Sequence, residues 1–514
     1  MLVLSLVLSA AAAWAANTSC PTDYTSYVSQ PHGPFSSGRY HLSSMRPPPE
    51  CRTFVSPEVE QTIARMKRTI ADPDLFRLFE NSWPNTLDTT IKWRGHAEGS
   101  DEELCFVITG DIDAMWLRDS ANQLQSYLPV LRRNSSSNSI ASLYRGVINL
   151  QSRYILENPF CQAFQPPKES GLPPVQNGAS HDDTVFPPYS NQTVFECKYE
   201  LDSLAAFLEV SSDYYSATKD AAFFGKYQWL DTVRAILNET RAMQIGTYSS
   251  NGSVNTSPYT FSRTTSSSED TLDNNGIGNP FKTGTGLVRS AFRPSDDAAI
   301  YQGFIPANMM FATYLQSTSA IAAAVGQPGL AAEMQSFAAE IRQAISKYGI
   351  TSISNSIFGQ DNIYAYEVDG YGSRNIMDDA NIPSLLSAPF FGYVDKNDPV
   401  YQATRKVLLS EDQPYYMAGP VISGIGSPHT GPGYVWPMSV IMRIFTTDDD
   451  EEITSNLKLL LSSTNGLGLL HESINAYNQS DYTRPWFAWV NGLFGQMILD
   501  LDSRKPYILK QSFQ

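Results

Sequence analysis

The chain has 514 residues, a formal net charge of -16, and 42% hydrophobic residues. A hydrophobic fraction of that size supports a large folded core and excludes a wholly disordered chain. The acidic charge repels phosphate backbones, so no nucleic-acid partner is expected. Most of the aromatic residues, which make up 12% of the chain, are expected to fill the core.

The first residues have the pattern of a secretory signal peptide. Residues 2–12 form an apolar run too short to span a bilayer, and the small-residue site Ala13-Trp14-Ala15 follows it. We predict a signal peptide at 1–15, an N-terminal extension at 16–55 and a single domain at 56–514. No later apolar run is long enough for a transmembrane helix, so the mature chain is expected to be secreted or to stay in the secretory pathway, without a membrane anchor.

The five cysteines lie within the first 200 residues, and none forms a C-x-x-C pair, so no zinc site is expected. Two disulfides and one free thiol are the simplest arrangement in an oxidising compartment. We predict the pairs Cys20–Cys51 and Cys161–Cys197, because both flank polar, loop-like sequence, and we expect Cys105 to be buried. Glycosylation acceptors of the form Asn-x-Ser/Thr agree with secretion. They are Asn17, Asn134, Asn191, Asn238, Asn251, Asn255 and Asn478.

Helical periodicity dominates the chain from residue 56, where Ser56-Pro57 has the pattern of a helix start. Helices are predicted at 56–70, 118–130, 140–157, 200–216, 219–243, 304–324, 328–347, 398–409, 434–446, 450–463 and 486–502. Strand-like runs are few and short, such as 106–109. The polar segments 162–195 and 245–290 are predicted to be long loops, the second compatible with a hairpin.

Ten to twelve helices can pack as a solenoid, a bundle or a toroid of paired helices. The sequence has no repeat of fixed period, which disfavours a solenoid. A toroid of six inner and six outer helices gathers its loops into a funnel at one end. Polar residues should then recur at the starts of well-separated helices.

Clusters of acidic and aromatic residues do precede apolar helices at several places. They lie at 110–120, 196–203, 292–297, 378–383 and 470–473, with a glycine-rich stretch at 423–436 and an aromatic run at 482–489. Any single aspartate could be a helix cap, and Asp111 and Asp113 could be calcium ligands or turn formers. The repetition, together with Trp, Tyr and Arg, favours one shared site.

Acids and aromatics converging in a funnel suit the cleavage of glycosidic bonds. One carboxylic acid protonates the leaving oxygen while a second, ionised carboxylate activates water or attacks the anomeric carbon. Asp296 and Asp297 are neighbours, and a neighbouring carboxylate raises the pKa of an acid. Glu472 is the best candidate for the second group. Neither a G-x-S-x-G elbow nor an H-E-x-x-H site is present.

The strings GDIDAMWLRDSANQLQSYLPVL, KYELDSL, FRPSDDA, IPANM, DDANIPSLL, HES and YTRPWFAWVNGLFG occur in this order. With them the chain resembles glycoside hydrolase family 125 over most of its length. The resemblance implies an all-α fold, an (α/α)6 barrel with long loops and a few short strands. It also implies an exo-acting, inverting α-mannosidase that removes non-reducing terminal α-1,6-linked mannose without a metal ion or other cofactor. The expected partners are mannose-containing oligosaccharides or glycans, and the expected state is a monomer.

The resemblance also assigns residues. It places the general acid in the S-D-D motif, where we favour Asp297 over Asp296, and the general base at Glu472. The pocket for the terminal mannose is expected to contain Asp111, Asp113, Arg118, Asp119, Lys198, Glu200 and Asp202. Contacts to the wall or to the leaving sugar are expected from His429, Trp436, Arg484 and Trp486. Trp116 and Arg293 complete the predicted substrate-binding set.

Three alternatives stay open from the residues alone. The same toroid could carry a glucosidase or a trehalase-like hydrolase. The acidic clusters could form a calcium- or manganese-dependent site. The chain could also be a glycan-binding protein that has lost catalysis. The polar segments 162–195 and 245–290 leave the predicted chemistry unchanged but leave the outer sugar-binding subsites undefined.

Overall fold

The computed structural model describes residues 20–355 and 359–514. The predicted signal peptide at 1–15 and the acceptor Asn17 lie outside these residues. The described chain is rich in helix, as predicted. The helices are α1 (Tyr24–Val28), α2 (Pro57–Thr69), α3 (Pro73–Ser82), α4 (Asn85–Thr89), α5 (Leu117–Gln125), α6 (Ile140–Glu157), α7 (Leu201–Thr218), α8 (Ala221–Phe224), α9 (Trp229–Ala242), α10 (Asp273–Gly276), α11 (Ile305–Ala324), α12 (Pro328–Ala344), α13 (Pro399–Leu408), α14 (Pro437–Phe445), α15 (Asp450–Ser462) and α16 (Ala488–Arg504).

Helix starts follow the capping chemistry of the sequence. The hydroxyl of Ser56 accepts a hydrogen bond from the backbone of Val59, and Pro57 occupies the first helical position of α2. Helix α3, which periodicity did not predict, begins the same way with Asp72 as its cap. The single helix predicted at 219–243 is wrong in one respect, because α8 ends at Phe224 and α9 begins at Trp229.

Strands are more numerous than the sequence predicted, although all are short. Those in the described residues are β1 (Ile91–His96), β2 (Glu103–Val107), β3 (Met115–Trp116), β4 (Ala163–Phe164), β5 (Asp183–Phe186), β6 (Val194–Glu196), β7 (Thr260–Arg263), β8 (Gly303–Phe304), β9 (Ile350–Asn355), β10 (Gly359–Tyr364), β11 (Glu367–Val368), β12 (Arg374–Asn375), β13 (Tyr416–Ala418), β14 (Ser423–Ile425), β15 (Tyr434–Val435), β16 (Ser473–Asn475) and β17 (Asn478–Thr483). They form antiparallel sheets of two or three strands. Two-residue strands carry no periodic signal, which is why the sequence missed them.

The two long polar segments pack against each other. Strand β5 of the first pairs with β7 of the second, from Asp183 opposite Arg263 to Phe186 opposite Thr260. Arg263 then bonds to Asp183 at 2.6 Å and to Glu196 at 2.8 Å. These segments are therefore ordered together, and the first of them leads directly into α7.

Short strands precede the starts of several helices and carry their polar residues to one end of the fold. Strand β3 runs directly into α5, β8 into α11, and β15 is separated from α14 by Trp436 alone. Helix α5 contacts α7 and α16, α7 contacts α11, and α14 contacts α16. The clusters that precede these helices are far apart in the chain, and this packing brings them together.

Both predicted disulfides are confirmed, Cys20–Cys51 and Cys161–Cys197, and Cys105 is free and buried. The first disulfide closes the N-terminal segment 20–51 into a loop that lies on the helical body. There the hydroxyl of Tyr24 donates to the carbonyl of Met45 at 2.8 Å. No helix within residues 20–355 and 359–514 is long and apolar enough to cross a membrane.

Candidate active site

A cavity of about 480 Å³, including its open mouth, lies where the helix starts converge. Its lining comes from five separate parts of the chain. The lining residues are Thr109, Asp111, Ile112, Trp116, Arg118, Asp119, Pro294, Ser295, Asp296, Asn381, His429, Trp436, Glu472, Arg484, Phe487 and Trp489.

Arg118 organises the buried side of this cavity. It is the second residue of α5 and is 3% exposed. The guanidinium donates to the carboxylates of Glu200 and of Asp202, the latter at 3.1 Å. It also lies 3.5 Å from Asp119 and 3.8 Å from Asp296. One buried cation therefore contacts four carboxyl groups: Asp119 on α5, Glu200 and Asp202 at the start of α7, and Asp296 in the loop before α11.

The proton distribution in this group, which we call the Arg118 cluster, is uneven. Burial raises the pKa of Glu200 well above its ordinary value and that of Asp119 to about 6. Burial acts in the same direction on Asp296, but the charges of Lys198 and Arg118 and a hydrogen bond from Glu200 outweigh it and lower the pKa of Asp296 to about 2. Of the hydrogen-bonded pair Glu200 and Asp296, Glu200 therefore holds the proton.

The two aspartates of the S-D-D motif point in different directions. Asp296 has a left-handed backbone, with φ of 67°, and its carboxylate lines the cavity and accepts from the indole of Trp116 at 3.3 Å. Its backbone carbonyl accepts from the ammonium of Lys198 at 2.8 Å. Asp297 is 2% exposed and lies behind the wall. The left-handed turn at Asp296 separates the two carboxylates.

Asp297 is paired with a histidine of the cavity wall. The ring Nδ1 of His429 donates to its carboxylate at 2.9 Å. Burial lowers the pKa of His429, but the hydrogen bond to Asp297 and its charge outweigh burial and raise the pKa to about 9. His429 is therefore a cation at neutral pH, placed between the S-D-D motif and the rest of the cavity.

Glu472 faces the same cavity and is held by an arginine. It is 7% exposed, and the Nε of Arg484 donates to its carboxylate at 2.9 Å. The same guanidinium donates to Asp111 through a second nitrogen. A single arginine therefore fixes Glu472 and connects it to the mouth of the cavity.

The cluster at 378–383 supports the wall from behind. The carboxylate of Asp379 accepts from the side chain of Asn381 at 2.9 Å and from the hydroxyl of Ser427 at 2.7 Å. Ser427 in turn accepts from the backbone of His429 at 3.2 Å. Asp379 thereby holds two cavity-lining residues, Asn381 and His429, in place.

The predicted site residues fall into three groups. The cavity is lined by Asp111, Trp116, Arg118, Asp119, Asp296, His429, Trp436, Glu472 and Arg484. A buried layer behind its lining contains Lys198, Glu200, Asp202, Arg293 and Asp297. Arg293 bonds to Glu367 there, at 2.6 Å.

The third group, Asp113 and Trp486, does not line this cavity. The carboxylate of Asp113 pairs with the ammonium of Lys92 at 2.7 Å, outside the cavity. The indole of Trp486 donates to the side chain of Asn85 at 2.8 Å. Both face a neighbouring depression.

Sequence reasoning also missed residues that line the cavity. They are Thr109, Ile112, Pro294, Ser295, Asn381, Phe487 and Trp489. Phe487 and Trp489 lie in the aromatic run at 482–489 that the sequence analysis identified, at the start of α16. Asn381 lies within a string that the resemblance already contained.

The chain matches known proteins over most of its length. Residues 72–499 match the family model of the metal-independent α-mannosidases. The meiotically up-regulated gene 157 protein of Schizosaccharomyces pombe is 48% identical over 495 residues, covering 96% of this chain and 94% of that protein. A metal-independent α-mannosidase structure from Streptococcus pneumoniae, a non-productive complex with α-1,6-mannobiose, has a TM-score of 0.76 and 33% identity and covers 88% of this chain and 100% of that one. The chain belongs to glycoside hydrolase family 125, the metal-independent α-mannosidases.

Proposed function

We propose that this glycoside hydrolase removes single α-1,6-linked mannose residues from non-reducing ends and inverts the anomeric configuration. One observation carries the proposal: Asp296 and Glu472 face the same small cavity. The buried Arg118 cluster lines one side of that cavity, so it has room for an end residue rather than for the middle of a long chain. The α-1,6 preference is supported by the mannobiose bound to the Streptococcus pneumoniae enzyme.

We assign the general acid to Asp296. Asp297, which the sequence favoured, is buried against His429, whereas the carboxylate of Asp296 faces the cavity. The proton comes from the hydrogen-bonded pair that Asp296 forms with Glu200. As the glycosidic bond breaks, the proton of Glu200 passes to Asp296 and from Asp296 to the leaving oxygen, and the pair takes up a proton from solvent before the next turnover.

Glu472 acts as the general base. It takes a proton from a water molecule whose oxygen attacks the anomeric carbon on the face opposite the leaving oxygen. One C–O bond forms and one breaks, so the configuration inverts. Arg484 orients the Glu472 carboxylate through its hydrogen bond. An inverting enzyme needs roughly 6.5–9.5 Å between the two carboxyl groups, to leave room for the water.

We also infer that the helices form an (α/α)6 barrel. The contacts of α5 with α7 and α16, of α7 with α11, and of α14 with α16 are those of neighbouring inner helices in an (α/α)6 barrel. We infer one catalytic domain at 56–514, acting as a monomer, with the segment 16–55 as an extension of it. Passage through the secretory pathway is supported by the two disulfides.

The test is NMR of the products from α-1,2-, α-1,3- and α-1,6-linked mannobioses, which reports sugar, linkage and anomer together. We expect β-mannose from the α-1,6 substrate at first appearance. Glu472→Gln should lower kcat on it by about 10²–10⁴-fold, the usual contribution of a general base. Glu411→Gln, at an exposed position, is the matched control. Full turnover by Glu472→Gln, or α-mannose as the first product, would contradict the assignment.

A further inference from the structure

A second depression, of about 980 Å³ including its open mouth, adjoins the catalytic cavity. The two share Asp111, which lines both. The ridge between them consists of residues 109–113 and 486–487, joined by a β-bridge between Gly110 and Phe487. Extended backbone alternates its side chains, so Phe487 lines the cavity and Trp486 lines the depression.

The far wall of the depression comes from the N-terminal segment. Residues 21–25, 47, 51 and 53 contribute to it, and they precede the region 72–499 that matches the family model. The Cys20–Cys51 disulfide closes this segment. The rings of Tyr24 and Trp486 meet edge to face, with centroids 4.6 Å apart. The segment is therefore attached directly to the ridge of the active site.

The lining is suited to sugar hydroxyls. Lys92 and Asp113 form an ion pair that is 39% and 44% exposed, so both keep capacity for further hydrogen bonds. Thr22, Asp23 and Thr53 add exposed polar groups from the N-terminal segment. Asp111, whose side chain is 25% exposed, offers acceptor oxygens at the junction and is tied through Arg484 to Glu472.

We propose that this depression is an outer subsite, which binds the sugar residues beyond the first two of an α-linked mannooligosaccharide. The inference rests on the proposed function and adds where the remainder of the substrate lies. It makes the N-terminal segment a determinant of substrate length. A polar groove at 165–195 is the other large concavity near the site, but it shares no lining residue with the cavity.

The test compares α-1,6-mannobiose with the corresponding mannotetraose. Thr22→Trp places a large ring in the depression, and Lys92→Ala removes a donor from it. Both should lower the ratio of kcat/KM for mannotetraose to that for mannobiose by about five- to tenfold, an effect of about 1–1.4 kcal/mol. Gln192→Trp, in the groove at 165–195, is the matched control and should leave this ratio unchanged.

An unchanged ratio in both depression variants, or a fall in Gln192→Trp alone, would overturn the proposal. Failure of the proposed function has a different signature, since the unmodified enzyme would then cleave neither substrate. In that case calorimetry on the Glu472→Gln protein decides. Thr22→Trp should weaken the binding of mannotetraose and not of mannobiose, and equal binding of mannotetraose with and without Thr22→Trp would reject the outer subsite.

Discussion

Helix α7 carries two sets of buried carboxyl groups with different partners. At its start, Asp202 belongs to the Arg118 cluster, where the guanidinium opposes the effect of burial on its pKa. Two turns along, the carboxylate of Glu209 accepts from the neutral side chains of Gln125 and Tyr314, each at 2.8 Å. Burial raises the pKa of Glu209 to about 8 and that of its neighbour Asp213 to about 7.

The difference shows what a buried arginine does for an active site. Carboxyl groups held only by neutral donors keep their protons near neutral pH, because the charged form is poorly solvated. Carboxyl groups around Arg118 include both a protonated member, Glu200, and an ionised one, Asp296. Acid catalysis needs a proton next to an acceptor that faces the substrate. Only the set at the start of α7 provides that arrangement.

The largest effect is expected from removing the cation. Arg118→Met leaves the carboxylate of Asp202 buried without its cation, and breaking a buried ion pair in this way costs about 3–5 kcal/mol. Urea unfolding should show that loss of stability, and turnover of α-1,6-mannobiose should be abolished. Arg118→Lys keeps the charge without the planar fork and should retain more of the stability. A Met variant within about 1 kcal/mol of the unmodified protein would break the comparison.

The second-largest effect distinguishes Asp296 from Asp297 as the general acid. Asp296→Asn should lower kcat on α-1,6-mannobiose by about 10²–10⁴-fold, as loss of a general acid does. An aryl α-mannoside with a good leaving group needs little protonation and should recover most of the rate. Asp297→Asn should lose less, with no preference for the aryl substrate, because it acts through His429. If the two variants exchange these behaviours, Asp297 is the acid.

The smallest effect is the pH dependence of stability that Glu209, in the middle of α7, produces. Because the pKa of Glu209 is raised in the folded protein, its contribution to stability is fully present below the pKa of the unfolded chain and is lost as pH rises to about 8. Glu209→Gln should flatten this decline between about pH 4.3 and 8. The gain at pH 8 should reach a few kcal/mol, since one pKa unit is worth about 1.4 kcal/mol.

Thermal unfolding at several pH values measures this effect. Glu333→Gln, at an exposed position on α12, serves as the control. Parallel pH curves for the unmodified protein and Glu209→Gln would show that Glu209 does not hold its proton in the fold.

The sequence predicted the helix caps, the disulfides and the residue clusters better than the directions in which their side chains point. Capping at Ser56, both disulfides and the clusters at helix starts were predictable, because each follows from local chemistry. Which residues of each cluster face the cavity was not, so Asp113 was expected in a cavity that it does not line. The choice between Asp296 and Asp297 depends on one backbone angle. The residue types of the S-D-D motif do not specify the φ angle of Asp296.

That angle also limits how the site can evolve. The left-handed conformation of Asp296 is one that Asp, Asn and Gly tolerate better than other residues. A descendant that gives up hydrolysis but keeps the fold is therefore expected to carry Asn or Gly at this position, since Glu would strain the turn. Relatives with those replacements, and an intact Arg118, would be sugar-binding proteins derived from the enzyme.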